Sequence, residues 1–416
     1  MSAGQRLRKP RAEASDLPAR VDARHPAVEI FLWSRLAIWA AALFAFYVFE
    51  PSRNPDAARW DDPSVTHDLG AVTDVWARWD SVWFLRIAEH GYERLSSSAA
   101  AFFPLYPAAV GLLGRVLLGH YVLAGIVVSL AAGLATFVLL YDLAEAKLGA
   151  AGARRAVLYL ALFPMALFLQ AVYSESLYLL LTVVAFLAAE RRRFLGAGLA
   201  CGLALLTRPV AIALLPALAV FAWRSPRRWN DLARLAVAPL MFAAYPLLLW
   251  AQRGDPWTFV GAEGFWSRHL SRAGPLGGIS DGLRAGWAGI EQLASGSHTH
   301  SYWPEVQGTD PMRVAAVNLE CLAALGLFAF LTVVAWRRFG PPYGLFAALS
   351  LALPLSMPSD RWPLLSLPRL GLGVFPFFLA LAAVGGRPRV HTAIVSVSAL
   401  FLGVAVVQWA LWQWVS

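Results

Sequence analysis

Apolar runs of roughly 15 to 25 residues alternate along this chain with short polar or charged clusters. A helix of that length crosses a bilayer core of about 30 Å at about 1.5 Å per residue. The pattern predicts membrane helices near residues 28–50, 104–118, 121–143, 156–172, 174–190, 194–223, 234–251, 313–336, 341–357, 370–385 and 392–414. The ten-residue alternating strands of a membrane β-barrel do not occur. The expected fold class is therefore all-α and polytopic, with about ten to eleven spanning helices. Two polar connections, 51–103 and 252–312, are too long for the tight turns of a helical bundle, and long loops on a rigid scaffold are where function concentrates. Residues 1–27 read as a basic, disordered tail without a cleavable signal, and 28–416 as one membrane-embedded domain.

Composition agrees. Of 416 residues, 58% are hydrophobic and 15% charged, with 18 Trp, well above the apolar share of about 45–50% in soluble domains. The net charge of +9 does not indicate nucleic acid, because the arginines sit at the ends of apolar runs rather than on one soluble module. They set orientation instead. The N-terminal tail, Arg224 with Arg227 and Arg228, Arg337 with Arg338, and Arg387 with Arg389 place those ends in the cytoplasm and both long loops outside. Single crossings throughout would leave Arg191, Arg192 and Arg193 outside, against that rule. The conflict disappears if 104–118 is re-entrant and 194–223, broken near Thr207-Arg208-Pro209, is a hairpin. Cys201 and Cys321 lack metal or disulfide spacing and read as small core residues.

The first long loop carries the chemistry. In DVWARWDSVWFLRIAEHGYERLSSSAAAFFPLYP, Trp76, Trp79, Trp83 and Ile87 recur at three- and four-residue spacing, predicting one amphipathic helix in the headgroup region. Asp80 lies on it with no cation at helical pairing distance, whereas Arg78 has Asp74 four residues before it. A carboxylate among aromatic rings at a membrane boundary costs free energy unless it is used, which makes Asp80 the candidate catalytic group. Glu89, His90 and Tyr92 follow it as weaker candidates, and Asp61 with Asp62 is an acidic pair that a solvated loop explains. Elsewhere Glu175 in YSESLY and Arg208 in TRPVA are charges in apolar context that a mutual ion pair would reconcile. Arg369 in SLPRL is placed to fork onto a phosphate or to snorkel, and GAEGFWSRHL adds Glu263, Trp266, Arg268 and His269, a mixture of aromatic and charge that suits carbohydrate or lipid-phosphate contact. His298 and His300 lack metal-ligand spacing.

RWDSVWFLRIAEHGY followed by AFFPLYP, YSESLY, TRP, EGFW and SLPRL, in that order over most of residues 28–385, resembles the PIG-V family of GPI mannosyltransferase 2-like enzymes and their bacterial relatives. Val210-Ala211 after TRP and Leu370 after Arg369 depart from the common pattern. The resemblance implies a GT-C glycosyltransferase of a bacterial plasma membrane, with its site on the extracytoplasmic face. It implies a polyprenyl-phosphate-linked sugar donor, with mannose as the sugar, and a lipid, glycan or protein acceptor. Neither cofactor nor metal is needed in that scheme. Asp80 would be the base, with Trp79, Trp83, Glu89, His90, Tyr92, Glu175, Arg208, Glu263, Trp266 and Arg369 around the substrates. The base role further requires that no structural cation hold the Asp80 carboxylate. The competing class is a multi-helix transporter or lipid flippase, which also buries charges but calls for internal repeats and a midplane site.

Overall fold

The computed structural model describes residues 25–304, 306 and 309–415, apart from 51–63. Asp61 and Asp62, and all but the last three residues of the expected tail, lie outside the described residues. Those described form helices, with one isolated bridge, Arg268 to Ser359, and no named strand. Pro26–Val48 (α1) opens the fold. The loop that follows holds a single turn, Ala71–Asp74 (α2), and a ten-residue helix, Ser81–His90 (α3). Leu105–Val116 (α4) leads to Tyr121–Leu162 (α5), the longest helix. Gly149, at φ 70°, breaks α5 into two arms, a conformation glycine adopts without steric cost.

The two arms of α5 define the ends of the bundle. Its start is tied to the first loop, where the Leu123 amide donates to Asp68 Oδ2 at 3.0 Å and His120 pairs with Asp68. The break is at the opposite end, where Asp142 lies 3.8 Å from His25 at the head of α1 and Lys147 lies 2.6 Å from Glu190. After Leu162 the chain runs irregularly to Glu175. Arg35, buried on α1, caps the end of α5 by donating to the Ala161 and Ala166 carbonyls at 3.2 and 2.6 Å. A cation at a helix C-terminus complements the dipole and satisfies orphan carbonyls.

Glu175–Glu190 (α6) returns to the basic end. Phe194–Leu205 (α7) and Leu214–Trp223 (α8) go in and come back, with Arg208 at the bend and Phe221 beside Tyr343, which donates to Glu190. Arg228–Leu235 (α9), Val237–Phe242 (α10) and Ala244–Arg253 (α11) then run to the loop end, where Arg253 Nη1 donates to the Tyr92 and Leu95 carbonyls. Thr258–Ala262 (α12) and Pro275–Ser295 (α13) belong to the second loop. The remaining helices are Pro311–Phe339 (α14), Pro341–Leu355 (α15), Leu367–Leu372 (α16), Pro376–Val384 (α17) and Pro388–Ala410 (α18).

Several sequence expectations change. Among the described residues, five stretches are long and apolar enough to cross a membrane: Pro26–Val48, Tyr121–Leu162, Arg228–Arg253, Pro311–Phe339 and Pro388–Ala410. Residues 104–118 hold one helix, Leu105–Val116, whose twelve residues are too few to span a bilayer core. α4 begins with the Leu105 amide on the Leu206 carbonyl, passes Ala88 of α3 at Gly111, and ends beside His120 at the loop end. Residues 194–223 form the hairpin, so Arg191, Arg192 and Arg193 join the other basic clusters at one end. The predicted helix 156–172 stops at Leu162. Large apolar side chains lie exposed along α1 (Trp33, Leu36, Phe44) and α18 (Val397, Leu400, Val404), surface that a hydrocarbon environment accommodates and water does not. The protein is an integral membrane protein. Single cysteines at Arg192 and Arg227 are expected to react with an impermeant maleimide from the same side of sealed vesicles, and one at Ser271 from the other. Labelling of Arg192 and Arg227 positions from opposite sides would refute the hairpin.

Candidate active site

The first loop does not form one continuous amphipathic helix. α2 ends at Asp74, the chain turns, and α3 starts at Ser81, with Asp80 as the residue before it. The reason is Trp79, whose φ of 53° is left-handed and incompatible with a helix. Its ring is wedged between Trp412 and Trp414 at 5.8 and 5.4 Å, and its Nε1 donates to the Gln413 carbonyl. Trp76 is fully buried against Trp39 at 5.6 Å. These tryptophans are core, not headgroup-facing. Nor do Arg78 and Asp74 form the expected side-chain pair. Arg78 Nη1 donates to the Asp74 backbone carbonyl at 2.9 Å and its guanidinium covers Trp412 at 4.4 Å. The Asp74 carboxylate accepts from Thr73 and the Asp68 amide and faces His67.

Asp80, 5% exposed, is held by a cation, so the condition that its carboxylate be free of structural cations is not met, and only its Oδ1 is left for a role as base. Arg369 Nη1 donates to its Oδ2 at 2.8 Å. The absence of a partner within helical range hid one 289 residues away. The Asp80 backbone amide donates to the Tyr173 hydroxyl at 3.0 Å, and that hydroxyl donates to the Arg78 carbonyl. Arg369 also lies over Phe168 and Tyr173, both at 5.4 Å, and its Nε is 3.6 Å from Glu175 Oε1. That same oxygen is 2.5 Å from Arg208 Nη1. Asp80, Arg369, Glu175 and Arg208 thus form one chain of alternating charge, drawn from the head of α3, from α16, from the head of α6 and from the hairpin bend. The Glu175–Arg208 pair expected from sequence is present within it.

The chain is electrically balanced but incompletely bonded. Asp80 Oδ1, both Glu175 oxygens, Arg369 Nε, the Tyr178 hydroxyl and the Gln170 amide are buried without a hydrogen bond of regular geometry. Buried polar groups left so are uncommon and mark strain or function. Tyr178 is one turn along α6 from Glu175, with Arg208 6.0 Å from its ring. A buried polar set of two carboxylates, two guanidiniums and a phenol can take up an anion on one side and a hydroxyl proton on the other.

Arg268, read from the sequence as part of the mixed aromatic and charged segment GAEGFWSRHL, adjoins this set. It is 3.6 Å from Glu263 and donates to the Met357 and Leu365 carbonyls at 3.1 and 2.8 Å. Burial lowers its guanidinium below the usual range, while Glu263 acts to raise it. Trp83 stacks on Phe102 at 5.8 Å, and Trp266 meets the same ring edge-on at 5.6 Å, so these two line the neighbouring aromatic wall. Glu89, His90 and Tyr92 are not brought to the charges, since they lie at the far end of α3. Glu89 and His90 face each other at 3.6 Å, and burial raises the Glu89 carboxyl while His90 lowers it. Tyr92 is spent on structure. Its hydroxyl donates to the Phe102 carbonyl at 2.5 Å and its amide to Gln252 Oε1 at 2.9 Å. His298 pairs with Asp310, Cys201 and Cys321 are both buried, and among the described residues no group of three or more His, Cys, Asp or Glu is arranged to hold a metal.

Backbone strain marks the same place. Of the six non-glycine residues with left-handed backbone among those described, Leu118 and Arg192 lie elsewhere, and the other four are Trp79, Ser267, Ser366 and Trp412, with φ between 53° and 62°. They adjoin Asp80, adjoin Arg268, precede Arg369 by three residues, and underlie Arg78. Left-handed backbone at such residues costs of order 1 kcal/mol or more and persists where surroundings impose it, often at functional sites.

Residues 64–237 match the family model described as Mannosyltransferase (PIG-V). The resemblance read from the motifs holds over that stretch, which contains Asp80, Glu175 and Arg208 but not Arg369. Two curated relatives are named undecaprenyl phosphate-alpha-4-amino-4-deoxy-L-arabinose arabinosyl transferase. The one from Pseudomonas paraeruginosa is 28% identical and the one from Pseudomonas aeruginosa strain UCBPP-PA14 is 30% identical, each over 214 residues. Each match spans 49% of this chain and only 32% of the relative's length. Among solved structures, ArnT from Cupriavidus metallidurans bound to undecaprenyl phosphate superposes with TM-score 0.39 at 15% identity, over 92% of this chain and 76% of that one. The Archaeoglobus fulgidus oligosaccharyltransferase tethered with an acceptor peptide gives 0.39 at 14%, over 91% and 55%. At this similarity neither bears on the reading of the site. Ser366→Gly is expected to raise the melting temperature by the equivalent of about 0.5–1 kcal/mol, by removing the left-handed penalty. A lowered melting temperature would show that Ser366 carries no strain.

Proposed function

We propose that this protein is a membrane glycosyltransferase that moves a sugar from a polyprenyl-phosphate carrier to an acceptor hydroxyl at the outer membrane face. The observation that carries this reading is the buried chain Asp80–Arg369–Glu175–Arg208, which joins a carboxylate to a pair of guanidiniums that can hold an anion. The family match supports it because it covers three of the four residues. The curated relatives support it through the undecaprenyl phosphate in their name. Mannose follows the family description, although the relatives are named for an amino-arabinose, and mannose therefore enters as the first sugar to test.

In this reading Asp80 accepts the proton of the acceptor hydroxyl as its oxygen attacks the anomeric carbon. The bond from that carbon to the phosphate oxygen breaks with inversion, and the phosphate leaves as an anion that needs no acid. Arg369 holds only Oδ2, so the partnerless Oδ1 is the atom to receive the proton. The arginine that neutralises Asp80 at rest is then the one that meets the departing phosphate, where a planar fork of donors suits both carboxylate and phosphate. A preorganised guanidinium in a dry site stabilises developing negative charge far better than it would in water.

Purified protein incubated with radiolabelled polyprenyl-phosphate-mannose and membrane extract is expected to transfer label to an acceptor. Asp80→Asn, which keeps shape and removes the base, is expected to lower the rate by about 10²- to 10⁴-fold. Near wild-type transfer by a folded Asp80→Asn protein would remove Asp80 from the mechanism, and movement of labelled lipid without transfer would favour a flippase.

A further inference from the structure

Glu175 has no part in the chemistry just described, yet it occupies the middle of the site. Its Oε1 lies 2.5 Å from Arg208 Nη1 and 3.6 Å from Arg369 Nε, so one carboxylate oxygen bridges two guanidiniums. The residue is 2% exposed, and neither oxygen makes a hydrogen bond of regular geometry. A structural acid at that depth normally has its lone pairs fully met, because an imperfectly bonded buried ion pair gains little against its desolvation. Here the carboxylate is held by charge alone, in the position that an oxygen of a forked phosphate would take.

Building on the donor reading above, we propose that Glu175 is an internal stand-in for the donor's phosphate. It neutralises Arg208 and Arg369 while the site is empty and gives them up when a polyprenyl phosphate enters. Two features permit the exchange. Glu175 is the first residue of α6, directly after the irregular segment that follows Leu162, so its side chain is not locked within a regular turn. Arg369 is shared with Asp80, so its pairing with Glu175 is the longer and looser of its two contacts. The arrangement spares the empty enzyme two unpaired buried cations, and it sets donor affinity as the difference between two anions competing for the same forks.

The sign of one substitution separates this from a positioning role. If Glu175 competes with phosphate, Glu175→Gln binds the phosphate more tightly. If Glu175 merely orients the arginines, Glu175→Gln binds it less tightly. With undecaprenyl monophosphate, carrying no sugar, as the probe in detergent, Glu175→Gln is expected to lower Kd about tenfold, the scale on which one like charge acts at a partly screened buried site. Inhibition of sugar transfer by the same lipid is expected to strengthen in parallel, while Glu175→Asp, which keeps the charge, stays near wild type. Unchanged or weaker binding by a folded Glu175→Gln protein would overturn the proposal.

Should that variant not fold, Arg208→Gln and the charge-balanced double variant with Glu175→Gln answer the same question. The second substitution is expected to restore affinity that Arg208→Gln loses, and a further loss would refute the stand-in. Wild-type protein that fails to bind undecaprenyl phosphate would overturn the donor reading and this inference together. Wild-type binding that Glu175→Gln weakens would overturn only the inference.

Discussion

A charge taken out of water must be met by another, and in this protein four segments far apart in sequence are brought together to meet that demand. Asp80 cannot sit at 5% exposure without Arg369, Arg369 is also drawn to Glu175, and Glu175 draws in Arg208. Breaking such a set at one member leaves an uncompensated buried charge, at a cost of about 3–5 kcal/mol. The irregularities of the fold are where these side chains are delivered: the left-handed Trp79 before Asp80, the unwound segment before Glu175, the bend holding Arg208, and the left-handed Ser366 ahead of Arg369. Regular spanning helices supply the frame, and their interruptions supply the site.

Much of the frame was legible in the chain. Apolar run lengths pointed to the class, and the rule that basic residues stay on one side raised a short α4 and an α7–α8 hairpin as one way to place Arg191, Arg192 and Arg193, without choosing between that arrangement and single crossings. The kink at Gly149 was not legible, since one glycine in an apolar run is as often tolerated as exploited. Periodicity held for Trp83, on α3, and misled at Trp76 and Trp79. Their spacing fits a helix, but tertiary packing against Trp39, Trp412 and Trp414 imposes a turn instead.

The site was legible in part. Asp80, Glu175, Arg208 and Arg369 were each visible as charges in apolar surroundings, and the structure joins them. The partner of Asp80 was not visible, because local spacing reports only i±3 and i±4 neighbours and this contact closes across most of the chain. Glu89, His90 and Tyr92 looked attractive for adjacency to Asp80 in sequence, but a helix of ten residues carries its far end about 15 Å away. Arg268 stood out only as one member of a mixed aromatic and charged loop segment, because nothing in the local pattern says that two backbone carbonyls from 357 and 365 would enclose it.

The hairpin of α7 and α8 has both feet at the basic end and only its tip near the charges. Its reach is therefore a length measured in helical turns, and one turn is worth about 5.4 Å. Shortening both arms by a turn would withdraw Arg208 well beyond contact with Glu175 while leaving every residue of the site unchanged in identity. The hairpin works as a ruler: the number of residues between Arg193 and Arg208 constrains the site as firmly as the choice of arginine at its tip.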